Sequence, residues 1–311
     1  MKCTICGTEN LELISTSIRN AEGKVYYCDD CDLGLLKPKH TNVSDYYDQE
    51  YRKKFTDDIE ITASDPVTMY NTHRKYQKNR INIIKPYFDL DKNFLEIGCS
   101  AGQFITHVVN EYAECVGLEL DSRCAEYVKK EFEITVHRTL LEDSNIPEKS
   151  FDFIGSFQVL EHTLDPIRFL LDIKNILKDT GKIFIEVPNL YDPLLKLWNV
   201  TAYHQFYYHE AHTHYFSRKS LEKLILRCKL QIDDIFFLQD YNVFNHFYWY
   251  FNNKPQQNCD FGLSEPEIRF FDNKVGKKIN ELFQSFNDQY KKVLSNHELT
   301  SNIFLILSKQ Q

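Results

Sequence analysis

Between residues 94 and 187 short apolar runs alternate with amphipathic ones, and this alternation restricts the fold more than any other feature of the chain. It predicts strands at 94–98, 115–120, 133–137, 151–157 and 182–187, with helices at 102–112, 122–131 and 165–178. Strands interleaved with helices of this length form βαβ units and a parallel sheet. A helix at 218–229, a strand at 230–238 and a last strand in "SNIFLILS" continue the pattern. The expected fold class is α/β, with a doubly wound, mostly parallel sheet of seven strands.

The run "FLEIGCSAGQF", residues 94–104, sits at the first strand-to-helix turn. A dinucleotide fingerprint needs G-x-G-x-x-G there, so that backbone can press on a pyrophosphate. Counting from Gly98, the second and third glycine positions hold Ser100 and Gln103, which argues against a pyrophosphate. Gly98 and Gly102 still allow a sharp turn and a close ligand approach. Amides near Gln103 and Phe104 can donate to a carboxylate. Glu96 can accept from an amine. Glu119 closes the next strand in "GLEL", where an acid can hold both hydroxyls of a ribose.

An amine, a carboxylate and a ribose without pyrophosphate describe S-adenosylmethionine. The chain resembles the class I S-adenosylmethionine-dependent methyltransferases through "LEIGCSAGQF", "GLEL", "IPEKSFDFIGSFQVLEHTLDP" and "LKDTGKIFIEVPN", in the expected order over residues 94–189. The resemblance implies that Glu96, Gly98 and Gly102 surround the methionine part and that Glu119 holds the ribose. It implies further that Leu120, Leu141 and Glu142 lie at the adenine and that Gln158 closes over the methyl group. An antiparallel last strand is also implied.

Cys3-Thr4-Ile5-Cys6 and Cys28-Asp29-Asp30-Cys31 are two C-x-x-C knuckles. Together Cys3, Cys6, Cys28 and Cys31 supply four thiolates for a tetrahedral structural Zn2+, and the intervening residues read as a hairpin turning near Ala21–Gly23. A pair of redox dithiols is the competing reading. So small a segment needs metal to hold it together, and a closed four-thiolate site leaves no position for substrate.

Methyl transfer also requires an aligned acceptor and, where the acceptor is protonated, a base. His162, in "VLEHTLDP", follows the fourth strand; a structural role there competes with a catalytic one. Four of the 11 histidines fall in "YHQFYYHEAHTHYFSRKSL", residues 203–221, interleaved with tyrosines. Such clustering suggests acid–base work near neutral pH, with metal binding and aromatic packing as alternatives. The run "HEAHTHYFS" is similar to a histidine loop of the sugar C-methyltransferases of deoxysugar pathways, which also carry a zinc ribbon. That resemblance implies roles at a sugar nucleotide for His212, Tyr215 and the neighbouring Glu210. His212 is the first choice for general base, with His209, Glu210, His162 and Tyr215 as helpers or substitutes.

The expected organisation is a zinc ribbon at 1–37, a linker with lead-in helices at 38–88, and a methyltransferase domain at 89–311. That domain carries a His/Tyr-rich insert at 188–217 and a helical insert at 241–298. Tyr46, Tyr47 and Tyr51 in the linker either fold over the cofactor or pack a surface helix. The net charge of −8 makes a nucleic-acid partner unlikely. No apolar run reaches the length of a membrane span, the first residues lack a signal-peptide core, and the nine cysteines suit a reducing cytoplasm. The expected acceptor is a small molecule, most simply a sugar or nucleotide-sugar derivative methylated at carbon or oxygen, and the expected location is cytoplasmic. The alternatives are an RNA or protein methyltransferase that docks through the ribbon, and a protein that binds S-adenosylmethionine without turnover.

Overall fold

The computed structural model describes residues 1–37, 65–256, 258–268 and 274–310. Tyr46, Tyr47 and Tyr51 lie outside the described residues.

The N-terminal segment is a three-stranded antiparallel ribbon of β1 (Glu12–Ile18), β2 (Ala21–Cys28) and β3 (Leu33–Leu36). Its hairpin turns at Arg19–Asn20, not near Ala21–Gly23, because Ile18 pairs directly with Ala21. Asn20 takes the left-handed conformation (φ 56°) that the turn demands, which asparagine tolerates better than most residues, so Gly23 is left inside a strand.

The main sheet is built from β4 (Asp89–Ile97), β5 (Tyr112–Leu118), β6 (Thr135–His137), β7 (Phe151–Phe157) and β8 (Leu177–Pro188). A two-residue strand β9 (His214–Tyr215) comes next, then β10 (Leu230–Leu238) and β11 (Asn302–Lys309). The order across the sheet is β6-β5-β4-β7-β8-β11-β10. β11 runs antiparallel to both neighbours and the remaining pairings are parallel. Phe94, Leu95, Ile154, Ile183 and Ile185 are fully or almost fully buried, as expected of central strands covered on both faces. The chain reverses its winding between β4 and β7, and such a switch point opens a crevice at the carboxyl ends of the strands.

The helices start where capping chemistry allows. Asp121 accepts from the amides of Arg123 and Cys124 to begin Ser122–Phe132, and Asp165 caps Pro166–Ile176 with proline in its first turn. After the glycine turn the helix is shorter than expected: Ile105–Val108 passes at once into a 3₁₀ turn, Val109–Glu111. The lead-in region is two helices, Pro66–His73 and Lys78–Ile84, joined by a 3₁₀ turn. The 241–298 segment folds as helices Val243–Asn252, Cys259–Leu263 and Lys274–Asn296.

Ribbon and core share one apolar cluster, in which Cys3, Ile5, Leu33 and Leu35 join Leu95, Ile154 and Ile185. The histidine-rich insert supplies β9, which pairs with β3 and becomes the fourth strand of the ribbon sheet. The His214 ring bridges the two, with Nε2 3.0 Å from Thr4 Oγ1 and Nδ1 2.8 Å from Thr213 Oγ1. No helix among the described residues is long and apolar enough to cross a membrane.

Candidate active site

The carboxyl ends of β4, β5, β7 and β8 open on a cavity of about 1140 Å³. One ligand usually occupies roughly 300–1,000 Å³, so this cavity can hold two molecules side by side. Glu96, Gly98, Glu119, Leu120, Leu141, Glu142, Gln158 and His162 all line it, as do Tyr203, Phe206, Tyr241, Asn245, Trp249 and Lys291 from the two inserts.

Gly98 is required twice over. Its φ of +75° is unfavourable for a side chain, and a Cβ would stand 2.5 Å from Val159 Cγ2. Its amide donates to Leu118 O at 2.8 Å, drawing the turn onto the end of β5. Ser100, also left-handed, donates its amide to Glu119 Oε2 at 2.7 Å, while Glu119 Oε1 accepts from Asp121 N at 2.8 Å. These two bonds fix the carboxylate at the rim, and each oxygen keeps a lone pair for a ligand hydroxyl. Gly102, at φ +85°, lies under the turn against Val128; the neighbouring Gln103 and Phe104, rather than Gly102 itself, are among the lining residues.

Beneath the turn lies an ionic network. Arg80 Nε and Nη2 donate to Glu186 Oε2 and Oε1 at 2.9 and 2.6 Å. Gln158 Nε2 donates to Glu186 Oε1 at 3.0 Å and to Asn302 Oδ1 at 3.1 Å, from a backbone at φ +59°. Glu96 is 4% exposed, and its Oε2 has no hydrogen-bond partner among the described residues. Burial pushes its carboxyl up to about 8, against the opposing pull of Arg80. A lone buried acceptor on a cavity wall fits a cationic amine.

Arg80, Glu186 and Asp240 escaped the sequence reading. Arg80 stands in a lead-in helix with no local motif. Glu186 did carry a signal, as a carboxylate inside the apolar strand "IFIEVP".

A second constellation stands at the His162 end of the cavity. His162 and His212 have ring centroids 4.7 Å apart, and the His209 ring lies 3.7 Å from that of His212. Beside the first two lies Glu161, fully buried. Its Oε1 is 3.7 Å from His162 Nε2 and 3.8 Å from His212 Nε2. Burial drives the Glu161 carboxyl up to about 8 and His162 down to about 4, and holds His209 and His212 well below the usual imidazole range. The Tyr215 hydroxyl accepts from His209 N at 2.9 Å and donates to His209 O at 3.2 Å, which closes the loop on itself. Glu210 is buried. Of the five candidate catalytic residues, His162 lines the cavity; His209, Glu210, His212 and Tyr215 are not among its lining residues.

In the ribbon the sulfurs of Cys3, Cys6, Cys28 and Cys31 lie within 4.8 Å of one another, none in a disulfide. Cys6 Sγ and Cys28 Sγ are 3.7 Å apart. Four Zn–S bonds of about 2.3 Å at tetrahedral angles place sulfurs about 3.8 Å apart, so the cluster has the size of a zinc site.

Comparison with known proteins adds a family. The methyltransferase domain family matches residues 70–233, more than half of the chain. A protein described as "Probable S-adenosylmethionine-dependent methyltransferase", from Mycobacterium tuberculosis, is 24% identical over 99 residues, covering 32% of this chain and 36% of its own length. A tRNA U34 carboxymethyltransferase of Campylobacter hominis is 31% identical over 117 residues, covering 34% of this chain and 40% of its own. The alignments thus span well under half the length of these relatives. A crystal structure of a SAM-dependent methyltransferase from Archaeoglobus fulgidus is similar at 20% identity with a TM-score of 0.49, over 76% of this chain and 94% of that one.

Proposed function

The chain belongs to the methyltransferase domain family, and on that premise we propose that it transfers a methyl group from S-adenosylmethionine to a small polyhydroxylated acceptor, a sugar derivative or nucleotide sugar. The observation that carries the donor half is the buried, unpartnered Glu96 oxygen on the cavity wall, across the glycine turn from Glu119. Glu96 receives the amine of the donor and Glu119 its ribose hydroxyls. Leu120, Leu141 and Glu142 border the adenine, Gly98 keeps a side chain out of the path, and Gly102 shapes the turn from beneath. Gln158, held by Glu186 and Asn302, closes over the methionine end.

The bound donor supplies an electrophilic methyl carbon on a sulfonium. An acceptor atom forms a bond to that carbon while the carbon–sulfur bond breaks and its electron pair stays on sulfur. The acceptor's proton leaves to the histidine constellation, where His162 is the member on the cavity wall and Glu161 and His212 stand behind it. His212 is not among the lining residues, so His162 takes first place among the candidates. Tyr215, Glu210 and His209 serve to hold the loop.

The acceptor class rests on the lining. Tyr203, Phe206, Tyr241 and Trp249 offer flat apolar faces, and Gln239, Asp240, Asn245 and Asp288 offer hydrogen bonds, the mixture that suits a sugar ring. Lys75, Lys78 and Lys291 add positive charge for a phosphate. A second reading is an RNA acceptor, because one relative is by its name a tRNA-modifying enzyme; this weighs against setting nucleic acid aside on net charge alone. The four-cysteine cluster is assigned a structural Zn2+ that carries no chemistry of its own.

Labelled S-adenosylmethionine incubated with pooled nucleotide sugars and other small metabolites tests the reading. Label in one small acid-labile product supports it. Label entering only RNA moves the assignment to the second reading, and label entering neither pool removes the sugar acceptor.

A further inference from the structure

Glu161 poses a problem that the protein's own atoms do not solve. Its side chain is fully buried, and neither Oε1 nor Oε2 has a hydrogen-bond partner among the described residues. A buried carboxyl with no side-chain donor either keeps its proton or takes a compensating cation. Arg80, whose field reaches Glu161, commits its fork to Glu186. What faces Glu161 instead is two imidazoles.

The tautomer of the first imidazole is fixed. His162 Nδ1 lies 3.0 Å from Ala211 O, which can only accept, so Nδ1 carries the proton. In the neutral ring Nε2 then presents a lone pair, and it points at a carboxylate oxygen 3.7 Å away. His212 Nε2 stands 3.8 Å from the same oxygen. These separations are too long for hydrogen bonds. They suit two bonds to one ion. Metal–ligand bonds of about 2.1 Å at tetrahedral angles put ligand atoms about 3.4 Å apart, a few tenths of an ångström from what is seen. One atom from each of Glu161, His162 and His212 lies within 4.8 Å of the other two. The Nδ1–H of His162 donating to a backbone carbonyl is also the support that metal-bound histidines need.

We propose that Glu161, His162 and His212 bind a divalent transition-metal ion, separate from the four-cysteine site and open on the cavity side. Two imidazoles and one carboxylate select first-row transition metals over magnesium or calcium. Three protein ligands leave a coordination position free, as sites that act on substrates do. His162 lies on the cavity wall, so the free position takes an oxygen of the acceptor and lowers the affinity of that oxygen for its proton. This role toward the acceptor rests on the methyl-transfer reading; the binding of the ion does not. The ion then replaces the bare His162 imidazole as the group that meets the acceptor.

Zinc is the probe, because it binds any such ligand set more tightly than ferrous iron. Chelator-stripped full-length protein, reloaded with zinc and freed of excess, is expected to hold two equivalents by elemental analysis. Glu161→Gln and His212→Ala should each hold one, and Cys3→Ser should lose the other. Anomalous diffraction at the zinc edge from the wild-type protein gives the answer without a variant: one peak among the four sulfurs and a second among Glu161, His162 and His212. A single equivalent at saturation, with a peak at the cysteines alone, overturns the proposal. Protein that binds S-adenosylmethionine but shows no second peak loses only this site. Protein with both peaks and no affinity for the donor keeps the site and loses the methyl-transfer reading.

Discussion

Arg80 and Glu186 form a two-pronged ion pair under the cavity, at 2.9 and 2.6 Å, between a lead-in helix and the end of β8. Both side chains are largely or fully withdrawn from water. Removing one partner strands the other charge, so Arg80→Ala should destabilise the fold by about 3–5 kcal/mol in a urea titration. Replacing both residues with methionine should cost much less than the sum of the single changes. Additive costs would show that the pair does not act as a unit.

Glu96 links pH to donor affinity. Its carboxyl, at about 8, stays protonated at neutral pH in the free protein, while the cationic amine of the donor favours the ionised form. Binding should therefore release a proton below about pH 7.5, where an α-amino group is still charged. Affinity should rise toward tenfold per pH unit between about pH 6 and 7.5, a slope that Glu96→Gln removes. In the unliganded protein the sign is opposite: a raised carboxyl contributes stability below its unfolded value of 4.5 and loses it as pH climbs through about 8. Calorimetry in buffers of different ionisation heat reads the released proton directly.

His246 gives an acid limit to helix Val243–Asn252, which lends Asn245 and Trp249 to the cavity wall. It is buried, its Nδ1 lies 2.6 Å from the Tyr290 hydroxyl, and burial pushes its imidazole down to about 3. The unfolded chain binds a proton near 6.5 and the native one does not, so this contribution is intact above pH 6.5 and fades as pH falls toward 3. His246→Gln should lessen the loss of thermal stability between those limits, measured as Tm against pH. An unchanged slope would contradict this.

Gly98→Ala should weaken the donor site through two separable causes. The left-handed backbone costs about 1–2 kcal/mol for any side chain, and the new methyl meets Val159. Adding Val159→Ala should recover the steric part of the lost donor affinity and leave the backbone part. No recovery would mean that the contact is not limiting.

The core was readable because its signals are local. "FLEIGCSAGQF" states a strand, a turn and a helix start within eleven residues, and Asp121 and Asp165 stand where helices need caps. What was hidden depends on distant partners. Nothing near His214 announces a strand, since β9 exists only because β3 offers it an edge. Arg80 is one of many lead-in cations until Glu186 meets it. Glu161 is simply the neighbour of His162 in sequence, and only the fold leaves its oxygens without hydrogen-bond partners among the described residues, beside two imidazoles. The helix Ile105–Val108 is shorter than the expected 102–112 because the apolar pattern continues while the chain tightens into a 3₁₀ turn toward β5.

Ribbon and histidine loop should respond together to loss of the Zn2+ proposed for the four cysteines. β3 holds β9, and Thr4 holds His214, so stripping the metal should disturb the loop more than the glycine turn. Turnover should then fall by roughly a hundredfold, the scale of losing a positioned acid–base group, while donor affinity changes little. Equal losses in both would contradict this division.

The most direct test is titration calorimetry of the folded, zinc-loaded protein with S-adenosylmethionine and with its demethylated product. The account predicts one site for each, weakened about tenfold or more by Glu119→Ala, as loss of a charged hydrogen-bond partner requires. Absence of heat from either compound, with a nicotinamide or flavin nucleotide saturating the cavity instead, would contradict it.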